Sequence, residues 1–125
     1  MNIPFTDLPA QNAECRADID AAIKDYIDRA SFITGPDVEQ FERIIANYLQ
    51  ADDCAATGSG TTALQVALLA CGVGKGDEVI STSHTFVSTP EAIINVGATP
   101  VMVDVDEYYN MDVELIEESI TENTK

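Results

Sequence analysis

Positive charge is scarce in this sequence. Six Lys and Arg stand against 22 Asp and Glu, a formal net charge of −16 over 125 residues. Such a chain repels phosphates at long range, which excludes nucleic acid and anionic membrane as general partners. Any bound phosphate must therefore be held by a local device. Histidine is scarcer still, with His84 alone, so no multi-histidine metal site can be built from these residues. A Ser-His-Asp triad stays open on composition, but no nucleophile-elbow pattern accompanies it. The three cysteines, Cys15, Cys54 and Cys71, include no C-x-x-C pair. An odd, widely spaced set argues against a disulfide framework or a zinc site and predicts reduced, mostly buried thiols. No apolar run approaches a membrane span. The opening Met-Asn-Ile-Pro-Phe-Thr-Asp has no basic segment followed by an apolar one, so no secretory signal is expected. Repeats, linkers and low-complexity segments are also lacking. These absences point to a cytoplasmic protein with no nucleic-acid or membrane partner.

What remains is ordinary globular material. The length suggests one domain, long enough to bury about two thirds of the unfolded surface. An apolar share of 46% separates the chain from disordered acidic sequences. Over residues 11–29 the apolar positions Cys15, Ile19, Ala22, Ile23, Tyr26 and Ile27 recur at three and four, one face of a helix. Residues 31–35 break it, and Pro36 suits the first turn of a second helix carrying Val38, Phe41, Ile44, Ile45, Tyr48 and Leu49. Residues 1–50 thus read as a helical arm or outer layer. Beyond it, residues 54–57 read as a strand and residues 63–70 as an apolar helix buried on most sides. A second strand is expected over 78–82. Thr89 is placed to cap a helix with Pro90 at its first position and Gly97 just past its end. A third strand enters on Pro100, residues 108–110 form a loop, and Asp112 caps a last helix through Ile120. Eight acidic residues and no basic one lie between Asp104 and Glu122, a solvated face rather than an interaction tail. The fold class is α/β: N-terminal helices followed by β-α-β-α-β in a mainly parallel sheet, with residues 51–125 as its part of the chain.

The segment Gly58-Ser59-Gly60-Thr61-Thr62-Ala63 carries the most chemistry. A strand leads in and a helix leads out. Small residues admit a ligand close to the backbone, and the first helical N–H groups have no partner inside the helix. With the helix dipole behind them they bind an anion without any basic residue. A plain strand-to-helix turn, with Ser and Thr only capping the helix, explains the same letters equally well. The letters also satisfy G-x-G-x-x-A. The acidic residue this fingerprint needs at the end of the next strand is absent, because Asp77 and Glu78 stand before it. A dinucleotide site ranks below a phosphate-only site. Phe86 follows the second strand, at the end where α/β proteins bind ligands, and could lie flat on a planar group or pack in the core.

In order and spacing, Ile33-Thr-Gly35-Pro with Phe41-Glu42, Gly58-Ser-Gly-Thr-Thr-Ala-Leu64, Gly74-Lys-Gly-Asp-Glu-Val-Ile80, Thr85-Phe-Val-Ser-Thr89 and Gly97-Ala-Thr-Pro-Val-Met-Val-Asp104 resemble the DegT/StrS-type sugar aminotransferases. These are pyridoxal-phosphate enzymes of fold type I in the aspartate aminotransferase superfamily. The resemblance implies that Thr61 and Thr62 hold the cofactor phosphate, that Gly60 and Ser59 shape the turn, and that Phe86 stacks on the pyridine ring. It places Gly35 near the active-site mouth and gives His84 no fixed role. It implies a nucleotide-linked keto sugar as substrate, glutamate as amino donor and a homodimer. It also implies that this chain is the opening part of a larger domain. The family's cofactor-bonding lysine and pyridinium-pairing aspartate come later, and Lys24, Lys75 and Lys125 match neither. Cofactor binding by these residues alone should be weak or absent, the chain inactive, and its first strand short of sheet neighbours. Some family members carry histidine for the lysine and act as dehydratases. A stand-alone phosphate- or nucleotide-binding module and a ligand-free acidic interaction protein are the other readings.

Overall fold

Helix α1 begins where the sequence offers a cap. Asp7 accepts from Ala10 N at 3.1 Å and Pro9 sits in the first turn, so the helix runs Leu8–Arg29, three residues earlier than the apolar spacing alone predicts. Helix α2 spans Pro36–Leu49 with Pro36 at its start. The computed structural model describes residues 5–33 and 35–125. Residues 1–4, and Thr34 of the Ile33-Thr-Gly35 segment, lie outside them. The chain divides into two compact units, Met1–Ala55 and Ala56–Lys125.

In the first unit, Arg29 pairs with Asp25 at 2.7 Å and Asp37 at 3.2 Å, and lies 5.1 Å over the Tyr26 ring. It thereby ties the end of α1 to the start of α2. Exposed pairs Arg16–Asp20 and Lys24–Asp28 line α1; each contributes only a few tenths of a kcal/mol. Of the two helices only Ala46 is buried among the described residues, and Ile23, Ile27, Phe41, Ile44 and Leu49 are exposed. The helical periodicity is present, but its apolar faces are uncovered.

The second unit is helix α3 (Gly60–Ala70), strand β1 (Glu78–Thr82), helix α4 (Ser88–Asn95), strand β2 (Thr99–Val103) and helix α5 (Glu114–Ser119). Strands β1 and β2 pair in parallel, with Glu78 opposite Thr99 and Thr82 opposite Val103. Helix α4 crosses between them and packs on both, α3 packs on α4, and α5 on β2. The core cluster is Val73, Ile93 and Ala98, joined by Leu68, Val79 and Val96.

This core grows out of helix endings. At the end of α3, Gly72 N donates to Leu69 O and Val73 N to Leu68 O; at the end of α4, Gly97 N donates to Ile94 O and Ala98 N to Ile93 O. Both are Schellman motifs, with Gly72 at φ 72° and Gly97 at φ 92° in the left-handed position. The motif brings the residue after the glycine onto the helix's last turn. The pairs Leu68–Val73 and Ile93–Ala98 are thus both helix stops and core.

Several expectations are corrected. Residues 54–57 lie outside both strands, because a strand needs a ladder and, among the described residues, the sheet holds only β1 and β2. Helix α3 is not buried: Leu64, Val66 and Leu69 are exposed, since only one of its faces meets α4. Helix α4 starts at Ser88 with Val87 as N-cap and no side-chain cap, which puts Pro90 third rather than first. Thr89 bonds Thr85 instead, Oγ1 to Oγ1, at 3.0 Å. Helix α5 is shorter than expected, and Asp112 accepts from Glu114 N at 3.0 Å just outside it. The thiols are not mostly buried either; Cys15 and Cys71 are exposed and Cys54 is half-buried, all three free.

Candidate functional site

The start of α3 is built by Ser59. Its extended backbone (φ −165°, ψ 163°) turns the chain into the helix, and its Oγ accepts from Thr62 N at 3.2 Å. Ser59 Oγ and Thr62 Oγ1 lie 3.0 Å apart. Two hydroxyls that share one hydrogen bond leave one hydroxyl proton to point elsewhere. Ser59 O accepts from Ala63 N at 2.9 Å and from Thr57 Oγ1 at 3.0 Å. The capping role weighed from the letters is therefore real, but it satisfies only one of the orphan donors. Among the described residues, Gly60 N, Thr61 N and the Thr61 hydroxyl have no hydrogen-bond partner.

The surrounding space is open. A Cβ added at Gly58 or Gly60 would meet nothing within 4 Å, and neither residue has positive φ. The glycines are thus required neither by a protein neighbour nor by backbone conformation. Gly58, Ser59, Gly60 and Thr62 are exposed and Thr61 half-buried. No carboxylate or ammonium lies within residues 54–74. Two free N–H groups at a helix start, a half-used hydroxyl pair and a missing Cβ wall suit a small tetrahedral anion such as a phosphate monoester.

Phe86 lies on the loop between β1 and α4 and is 76% exposed, so it is not a core residue. Its carbonyl accepts from Thr89 N at 3.0 Å. Leu64, four residues past Gly60, and Thr89, three past Phe86, line one cavity of about 190 Å³ with Leu68, Val79, Ile80, Ser81 and Ile93. The cavity is lined from within α3, β1 and α4, and no hydrogen bond or ring contact joins the turn to the Phe86 loop among the described residues. His84 is exposed on that loop, its ring 5.6 Å from that of Tyr109. The Tyr109 contact was missed from sequence: an Asp- and Asn-rich stretch signals a loop but not what the loop touches.

Within the second unit neither Lys75 nor Lys125 bonds a residue of the turn. Lys24 pairs with Asp28 on α1, Lys75 is exposed in the turn before β1, and Lys125 donates to Gly72 O at 2.8 Å. Among the described residues no cluster of His, Cys, Asp and Glu suits a metal ion, and no helix is long and apolar enough to cross a membrane.

Residues 13–125 match the DegT/DnrJ/EryC1/StrS aminotransferase family. The chain is 42% identical over 124 residues to UDP-2-acetamido-2-deoxy-3-oxo-D-glucuronate aminotransferase of Pseudomonas aeruginosa, covering 98% of this chain and 34% of that protein. Among solved structures, S. venezuelae DesV in complex with a ketimine intermediate superposes with a TM-score of 0.94 at 42% identity, covering 98% of this chain and 33% of that one. Bacillus subtilis NtdA with bound cofactor PMP does so at 0.94 and 34% identity, covering 99% and 29%. The chain spans about a third of the length of the curated relatives it matches.

Proposed function

Because the chain belongs to the DegT/DnrJ/EryC1/StrS aminotransferase family, we propose that its 125 residues form the N-terminal, phosphate-holding part of an enzyme that transfers an amino group to a nucleotide-linked keto sugar. The cofactor of the family is pyridoxal 5′-phosphate. In this reading glutamate supplies the amino group, the enzyme is a cytoplasmic homodimer, and the two strands belong to the mainly parallel sheet of its large domain, with residues 1–50 as the outer helical layer.

The observation that carries the proposal is the open start of α3. Gly60 N and Thr61 N would donate to the phosphate, Thr61 Oγ1 and the free proton of the Ser59–Thr62 pair would complete its shell, and Gly60 would leave room for the oxygens to approach. The dipole of α3 supports the charge that an acidic chain would otherwise repel. Phe86 would lie on the ring face and keep water from it. The cofactor, when bound, supplies an electron sink for the carbon from which a proton is taken. The amine that bonds it and moves that proton is not among Lys24, Lys75 and Lys125, so these 125 residues alone should not transfer amino groups.

The test uses the full gene product. Gly60→Val fills open space without straining the backbone, so it should leave the melting temperature of the cofactor-free protein unchanged. Pyridoxal-phosphate affinity should fall by about tenfold or more, the scale of a lost charge-assisted hydrogen bond. Thr61→Ile should act likewise. Unchanged affinity in both variants would reject the assignment, and no glutamate-dependent conversion of the pyridoxal to the pyridoxamine spectrum would reject the transaminase.

A further inference from the structure

Tyr109 holds a backbone conformation that its side chain disfavours. Its φ is 64°, a left-handed value unusual for a bulky residue. A turn enforces it. Asp106 Oδ1 accepts from Tyr108 N at 2.8 Å and from Asn110 N at 3.0 Å, which places a bond on each side of Tyr109. Tyr109 N donates to Asp106 O at 3.1 Å, Asp106 N donates to Asn110 O at 2.9 Å, and Val105 and Met111 close the base as an antiparallel bridge. Core burial does not explain the arrangement, because Tyr109 is 71% exposed. What the turn achieves is the ring's position against His84, 5.6 Å between centroids and tilted by 43°.

His84 stands two residues before Phe86. The loop they share is tied to β2 through Ser83 N and Val103 O at 2.8 Å, and to α4 through Thr89 N and Phe86 O. The Tyr109 contact adds a tie from a third direction, the loop that follows β2.

We propose that Tyr109 is a positioning residue: its ring braces His84 and so holds the loop that presents Phe86 to the pyridine ring. This rests on the assignment of Phe86 as the stacking residue. The bracing is exerted before the cofactor arrives, since every contact named lies within the protein. Replacing Tyr109 should therefore loosen cofactor binding without disturbing the fold.

The test titrates the full gene product with pyridoxal 5′-phosphate and follows the visible circular dichroism of the bound cofactor. Tyr109→Gly and Tyr109→Asn both accept a left-handed φ, so the cofactor-free melting temperature should not fall. Affinity should drop about fivefold, the scale of one aromatic contact, and the dichroism should weaken. Tyr109→Phe should behave as the parent. In a Phe86→Ala background, Tyr109→Gly should have no further effect, because its action runs through Phe86. Unchanged affinity in Tyr109→Gly beside a weakened Phe86→Ala would overturn the bracing alone, as would a Tyr109→Gly loss that persists in the Phe86→Ala background. An unchanged Phe86→Ala would overturn the stacking assignment, and the bracing with it.

Discussion

Ser59 does two jobs with one oxygen. It caps α3 through Thr62 N and pairs with the Thr62 hydroxyl. Removing that oxygen unsatisfies an amide that water can partly reach, since the turn is exposed. Ser59→Ala should lower unfolding free energy by about 1 kcal/mol, the usual worth of an N-cap, measured by urea denaturation. At this scale the sequence was partly readable. Gly60, Thr61 and Thr62 announced a helix start because glycine and hydroxyl residues before an apolar run have few other uses. Which hydroxyl would be spent on the cap was not readable, since Ser59, Thr61 and Thr62 are chemically alike and only the backbone angles decide. Phe86, taken alone, reads more readily as core; its exposure depends on a loop path that no local pattern encodes.

Among elements, helix endings carry the information. The first unit closes its helices with the same hydrogen bonds as the second. Ala30 N donates to Ile27 O and Ser31 N to Tyr26 O after α1; Gln50 N donates to Asn47 O and Ala51 N to Ala46 O after α2. Here the left-handed positions hold Ala30 at φ 51° and Gln50 at φ 55°, where an L side chain is strained. Ala30→Gly and Gln50→Gly should each raise stability, by about 0.5–1 kcal/mol in chemical denaturation, because the strain relieved exceeds the added chain entropy. Gly97→Ala should do the reverse, since its new Cβ would stand 3.4 Å from Lys75 N at a φ of 92°. Gly97 was legible as a stop because glycine after a helical run has that meaning. The ends at Ala30 and Gln50 carried no such mark. Strand pairing was legible for β1 and β2, whose apolar runs find each other across α4. It failed for residues 54–57, because a strand is defined by neighbours and periodicity describes only the segment itself.

In the whole molecule, two facts stand together. The chain is strongly acidic, and large apolar residues such as Phe41, Leu69 and Ile94 are exposed. The helical spacing of those residues was readable, whereas what would cover them was not. The core of the second unit lies at the far ends of α3 and α4, in the Leu68–Val73 and Ile93–Ala98 pairs. The turn at residues 58–62 lies at the near end of α3, where Thr61 is half-buried and the rest are exposed. Helix α3 is thus clamped at its far end and open at its start, like a cantilever. In solution this should appear as a gradient of amide hydrogen exchange, slow at Val73 and Ala98 and fast at Gly60 and Thr61. Added pyridoxal 5′-phosphate should slow only the fast end, so that a ligand is felt as a loss of tip motion while the clamp stays still.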